Sequence, residues 1–274
     1  MVIENKISRN KEKTGETLMN LSREPRILLV DIETSPMIAY SWGPKWETNL
    51  IEILEESQIL SYSAKWLNGK HITRGQIDTK GYRSHYLNDK ELVIEINNLL
   101  NESDIVVSQN GNDFDIKMIK SRCILYGLNP PNPFKTIDTM VEAKKCVRLP
   151  SYKMDDLCSY FGLGSKIPTT FNLWKDCMKG DKKAWRLMKS YNQNDVILLE
   201  KLYLKLKPYM KTHPNYGVYL EDEVCPRCGS KDLQRRGYAR TLACVYQRLQ
   251  CKNCGSWSRS RKNEEKHSIL MNVS

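Results

Sequence analysis

Arg26-Ile27-Leu28-Leu29-Val30-Asp31-Ile32-Glu33-Thr34 decides the fold. Ile27 to Val30 are consecutive large aliphatics, as a strand buried on both faces requires, and the run is too short and too β-branched for a core helix. It then breaks into acid. Side chains two positions apart on a strand share a face, so Asp31 and Glu33 project together, close enough to grip one cation. An uncompensated pair at the end of a buried strand repels itself and is costly to desolvate, so it takes up protons or divalent ions. Hard carboxylate oxygens suit Mg²⁺ or Mn²⁺. Read by itself, the segment also fits an ordinary strand whose acidic end faces water.

On either side of this strand the pattern is mixed. Residues 1–24 are polar and lack apolar periodicity, which predicts a flexible arm, with Lys6, Arg9, Lys11 and Lys13 available to phosphate. Ser35 to Trp46 reads as a connection. Two β-rich runs, 58–67 and 71–77, flank Asn68-Gly69, a strong hairpin signal. Leu92, Val93, Ile96, Leu99 and Leu100 mark an amphipathic helix over 89–101 with Asn88 or Asp89 as its cap. A second short buried strand, 104–108, precedes a helix over 113–126 ended by Gly127. Thr136 to Met140 fits a last strand, and Met154 to Phe161 a helix stopped by Gly162. Over 181–207 apolar residues recur at helical spacing, giving one long helix or two abutting ones, stopped by Pro208. Strands and helices in this order, with a hairpin among them, predict an α/β fold with a mixed sheet flanked by helices. The expected domains are 25–210, then a small cysteine module over 222–262 and a tail over 263–274.

The 274 residues carry a formal net charge of +11, which favours polyanionic partners such as nucleic acid or an anionic membrane surface. No run of about 18 apolar residues is present, so no membrane span is expected. The first residues have no apolar core of a signal peptide, so the chain is expected to stay in a reducing cytoplasm, a host's if the protein is viral. Its nine cysteines are therefore not read as a disulfide framework. Cys123, Cys146, Cys158, Cys177 and Cys244 are scattered and read as small hydrophobes.

Two further sites are acidic. After the second buried strand, Asn110-Gly111 permits a sharp turn, and Phe114 is expected to seat the start of the next helix in the core. Asp115 then falls in the first helical turn and Asp113 is the expected N-cap, although both aspartates also fit simple caps. On the long helix, Tyr191 and Asp195 are four apart, so hydroxyl and carboxylate converge on one point. Alone, that pair also fits a surface aspartate beside a core tyrosine.

In this order, Asp-Ile-Glu-Thr at 31–34, Asn110 with Phe114-Asp115, and Tyr191 with Asp195, the chain resembles the proofreading-type 3′-5′ exonucleases on the ribonuclease H-like fold, the DEDDy type. It is similar to the exonuclease domains of family B DNA polymerases and their stand-alone relatives, over roughly residues 26 to 207. The stretch Leu157 to Leu163 looks like the segment before the third motif of such enzymes. A sister branch has histidine where this chain has Tyr191. The resemblance implies two-metal phosphodiester hydrolysis, with Asp31, Glu33, Asp115 and Asp195 holding two Mg²⁺ or Mn²⁺ ions about 4 Å apart. Tyr191 then orients the attacking water, Asn110 contacts the nucleic acid, and the products are nucleoside 5′-monophosphates.

Cys225-Pro226-Arg227-Cys228-Gly229 and Cys251-Lys252-Asn253-Cys254-Gly255 are two knuckles at zinc-ribbon separation. Four thiolates fill a tetrahedral shell, so one structural Zn²⁺ is expected. Arg235, Arg236, Arg240, Arg248 and Lys252 offer phosphate attraction, and Trp257 offers stacking. The module resembles ribbons of transposases and other DNA-handling proteins, and a protein-docking ribbon is the competing reading. The leading expectation is a stand-alone 3′-5′ exonuclease acting on DNA, at single-stranded 3′ ends, in replication or repair. Its ribbon holds substrate or a replication partner such as a separate DNA polymerase. The alternatives are an exoribonuclease with the same site, or a non-catalytic nucleic-acid-binding adaptor.

Overall fold

The computed structural model describes residues 22–43, 49–82, 88–242 and 244–264. Most of the expected arm, with Lys6, Arg9, Lys11 and Lys13, and the expected tail from residue 265 lie outside the described residues. The described residues form two compact units, one within Arg26–Leu206 and the other of residues 22–25 with the described residues from Lys207 to Glu264.

In the first unit, strands β1 (Ile27–Thr34), β2 (Ile38–Ser41), β3 (Leu50–Glu55), β4 (Ile59–Trp66) and β5 (His71–Gly75) precede helix α1 (Lys90–Asn101). There follow β6 (Ile105–Ser108), α2 (Asp115–Leu125), β7 (Lys135–Asp138), α3 (Thr139–Cys146), α4 (Met154–Tyr160), α5 (Asn172–Met178) and α6 (Lys182–Leu206). A five-stranded sheet runs β5-β4-β1-β6-β7. Because β1 pairs antiparallel with β4 and parallel with β6, the sheet is mixed and the acid-ended strand lies at its centre.

Alternation along β1 sorts its side chains between the two faces. Leu28, Val30 and Ile32 join one core with Leu92, Val93 and Ile96 of α1 and Ile116 and Ile119 of α2. Each such aliphatic contributes roughly 1.5–3 kcal/mol when fully withdrawn from water. Asp31 and Glu33 have the other parity and face the side crossed by α6. There a β-bulge opposite Glu33 and Thr34 accompanies the packing of Leu60 with Trp185 and Met188 of α6. The long segment is one continuous helix, capped by Asp181, whose Oδ1 accepts from the amides of Lys183 (2.6 Å) and Ala184 (2.9 Å). Its buried stripe includes Met188, Tyr191, Asn192, Asp195, Val196 and Leu199.

Three local expectations are corrected. The connection after β1 contains a strand of its own, β2, which forms a separate antiparallel ribbon with β3. Asp113 does not cap α2: it is on the surface, paired with Lys117 at 2.8 Å, and the N-cap is Phe114. Phe114 is 46% exposed, not in the core. The cause is Asp138, a buried carboxylate at the end of β7. It takes the amides of Asn110 (3.0 Å) and Asn112 (3.2 Å), holding an extra turn between β6 and α2 that carries Phe114 outward.

The second unit holds α7 (Tyr216–Leu220) and strands β8 (Leu233–Arg240), β9 (Val245–Cys251) and β10 (Trp257–Asn263), in the antiparallel order β10-β9-β8. The described end of the expected arm is tied down here. Arg23 N donates to Tyr219 O (3.0 Å) and Ser22 Oγ to Leu220 O (2.9 Å). Among the described residues no helix is long and apolar enough to cross a membrane.

Candidate active site

Asp31 and Glu33 of β1 and Asp195 of α6 each offer a carboxylate oxygen within 4.8 Å of the others. Strand alternation supplies the first two and the register of α6 the third. Asp195 is fully buried; its Oδ2 accepts from Lys166 Nζ at 2.6 Å, while Oδ1 has no partner among the described residues. Asp115 is not in that trio. It lies in the first turn of α2, where its Oδ1 accepts from the Ile32 amide at 3.0 Å, and its charge is the strongest neighbouring charge acting on Asp31. The turn before it requires a glycine at 111, because a Cβ there would lie 2.0 Å from Ser108 Oγ. Asn110 sits on the same turn with φ of +60°.

Several residues that hold the pocket were not singled out in the sequence. Asn192, fully buried, donates from Nδ2 to Asp31 Oδ2 (2.6 Å) and accepts at Oδ1 from Ser61 Oγ (3.2 Å). Its sign was available: a polar residue within the apolar stripe of α6, three positions before Asp195. Lys166 donates to both Asp195 and the Tyr191 hydroxyl (3.1 Å), and its ammonium lies 5.2 Å from the centre of the tyrosine ring. Trp174 of α5 packs edge-on against Tyr191, with ring centres 6.0 Å apart. Neither Lys166 nor Trp174 belongs to a spacing pattern that sequence alone would flag.

This many carboxyl groups in one place are hard to ionise together. Burial first, then the charges of Asp115, Glu33 and Asp195, push Asp31 well above the usual carboxylate range. Burial and Asp195 raise Glu33 to about 7. Burial also lifts Asp115 to about 7 against the opposing hydrogen bond from the Ile32 amide. Asp195 is raised by burial in spite of Lys166. A divalent cation would relieve all of these, and the converging hard oxygens, one of them a buried atom without a partner, fit Mg²⁺ or Mn²⁺.

In the second unit Cys225, Cys228, Cys251 and Cys254 bring their sulfurs within 4.8 Å of one another. The Sγ atoms of Cys225 and Cys254 are 3.7 Å apart and those of Cys228 and Cys251 3.6 Å. A tetrahedral site with Zn–S bonds of about 2.3 Å has sulfur-to-sulfur edges of about 3.8 Å, so the cluster fits structural zinc. Gly229 and Gly255, both at φ +74°, donate their amides to Cys225 O and Cys251 O and close the two knuckles. Arg235, Arg236 and Arg240 lie on β8, Arg248 on β9, Lys252 in the second knuckle and Trp257 on β10, all exposed. Cys244 is partly exposed at the start of β9 and takes no part in the cluster.

Residues 56–207, more than half of the chain, match the RNase H superfamily. The matched stretch takes in Asp115, Lys166, Tyr191 and Asp195, and starts after β1. No curated protein matches the chain.

Proposed function

The chain belongs to the RNase H superfamily, whose members are typically phosphodiester hydrolases, and from that premise we propose that it is a metal-dependent 3′-5′ exonuclease acting on DNA. The observation that carries this reading is the meeting of the Asp31, Glu33 and Asp195 carboxylates, with one buried Asp195 oxygen lacking a hydrogen-bond partner among the described residues. When bound, a pair of Mg²⁺ or Mn²⁺ ions supplies an activated water and stabilisation of the leaving 3′ oxygen. Asp31, Glu33 and Asp195, with Asp115 beside Asp31, would hold these ions. Tyr191 orients the water. Burial and the Asp195 charge push its phenol up to about 12, so it keeps its proton and serves as a hydrogen-bonding group, not a base. Lys166 fixes that phenol and offsets the charge of Asp195. Asn110 and the exposed Phe114, flanking Asp115, contact the terminal nucleotide. In the zinc-stabilised unit, Arg235, Arg236, Arg240, Arg248, Lys252 and Trp257 hold the strand by phosphate attraction and stacking.

Digestion of a 5′-labelled oligonucleotide in Mg²⁺ tests the reading. Wild-type protein should shorten the strand stepwise from its 3′ end and release nucleoside 5′-monophosphates. Asp195→Ala should lower the rate by about 10³-fold or more, as expected when a metal ligand is lost, while binding persists. Tyr191→Phe should lower kcat by about 10–100-fold with KM retained. Undiminished cleavage by Asp195→Ala would remove that residue from the site, and laddering on RNA but not DNA would replace the substrate.

A further inference from the structure

Between Leu233 and Asn263 the chain has eight arginines and lysines and no aspartate or glutamate. The three-stranded sheet built from this stretch sorts them by face. Val245, Leu249 and Cys251 of β9 are buried, which turns Tyr246, Arg248 and Gln250 to the opposite, outer face. Register adds Trp257 beside Gln250 and Arg259 beside Arg248. On that face the Arg248 guanidinium lies over the Trp257 ring at 5.2 Å, and that of Arg259 over Tyr246 at 3.8 Å. Arg248 Nε also donates to Arg236 O at 2.9 Å, which holds its plane in place. Trp257, Arg248, Arg259 and Tyr246 thus form a row across two strands, two central guanidiniums each against a ring.

Like charges directly opposite on neighbouring strands are destabilising, yet Arg248 and Arg259 are partners in register. Among the described residues neither forms an ion pair with a carboxylate, whereas Lys252 in the nearby knuckle pairs with Asp232 at 3.8 Å. Trp257 is 46% exposed. Paired cations without acid, flanked by the exposed Trp257 and the partly exposed Tyr246, fit a ligand that carries both negative charge and flat apolar surface. We propose that this face is a stacking platform for an unpaired polynucleotide strand, with Tyr246 and Arg259 as members alongside Arg248 and Trp257. The choice of nucleic acid over an acidic polypeptide rests on the nuclease reading above. Selectivity for the unpaired strand follows from the rings, because the bases of a duplex already stack on each other and present no free face.

Fluorescence anisotropy with the full zinc-loaded chain in Mg²⁺-free buffer tests this, using labelled oligothymidylate, a blunt duplex of equal length, and polyglutamate as competitor. Oligothymidylate should bind at least about tenfold more tightly than the duplex, and polyglutamate should compete weakly. Trp257→Leu should weaken binding about tenfold or more, and Trp257→Phe should keep most of it. Arg248→Lys preserves charge without the plane, so it should keep the salt dependence and still lose affinity. Should Trp257→Leu lose its zinc, Arg248→Lys decides the matter. Equal affinity for duplex, equal competition by polyglutamate, or unchanged binding by Arg248→Lys would overturn the platform. Turnover plays no part in this measurement. Selective binding without cleavage in Mg²⁺ would sink only the nuclease reading, and cleavage with unselective binding only the platform.

Discussion

Asn192 cannot titrate and turns its amide nitrogen, not its oxygen, towards the acids, yet that amide sets where Asp31 points. Second-sphere partners of this kind orient a ligand oxygen before any ion arrives. Asn192→Ala should therefore lower activity by about 10–100-fold and move the Mg²⁺ dependence of the initial rate to higher concentration. It also strands the Ser61 hydroxyl, at a cost of about 1–3 kcal/mol in stability, measurable by urea unfolding. An unchanged Mg²⁺ dependence would reduce Asn192 to a packing residue. That Asp31 lies beside Glu33, and Tyr191 beside Asp195, was legible because backbone geometry relates each pair over two or four positions. Asn192 meets Asp31 across 161 positions and Lys166 meets Asp195 across 29, separations over which no local periodicity operates.

Among the elements, the turn between β6 and α2 is the most tightly determined. Gly111 has no room for a side chain, because a Cβ there would lie 2.0 Å from Ser108 Oγ and 3.3 Å from Asp115 Oδ2. Gly111→Ala must displace Ser108 or the turn, costing about 1–3 kcal/mol, and Asp115 moves with it. Thermal unfolding should show the loss together with reduced turnover, and Ser108→Gly added to the variant should restore part of both. No recovery would mean that the strain lies elsewhere. The sequence marks the Asn110-Gly111 turn correctly but not its depth. Phe114 reads as a core residue because aromatics usually are, whereas Asp138, from a strand parallel to β6, claims the loop amides and leaves the ring outside.

For the molecule as a whole, the acid pocket sets a pH dependence. Glu33 and Asp115 stand at about 7 when folded, against ordinary values of 4.5 and 3.8. Folded chains therefore retain protons that unfolded chains have released. The stability this contributes is fully present below about pH 4 and is lost as pH rises towards 7. Without divalent ions, Tm should fall between about pH 5 and pH 8, and saturating Mg²⁺ should flatten the fall, because the ion favours the charged carboxylates. Differential scanning calorimetry with and without Mg²⁺ reads this directly, and a Tm that rises with pH in the absence of Mg²⁺ would contradict it. The hairpin, the two knuckles and the candidate acid and phenol pairs were determined by the sequence itself, because residues within one or two turns of backbone have fixed relative directions. Only the tertiary structure decided that Lys166, Asn192, Ser61 and Trp174 complete the pocket, that Asp138 shapes its edge, and that rings and guanidiniums meet on the cysteine module. Those encounters depend on strand register and on where a helix crosses the sheet, which no single segment encodes.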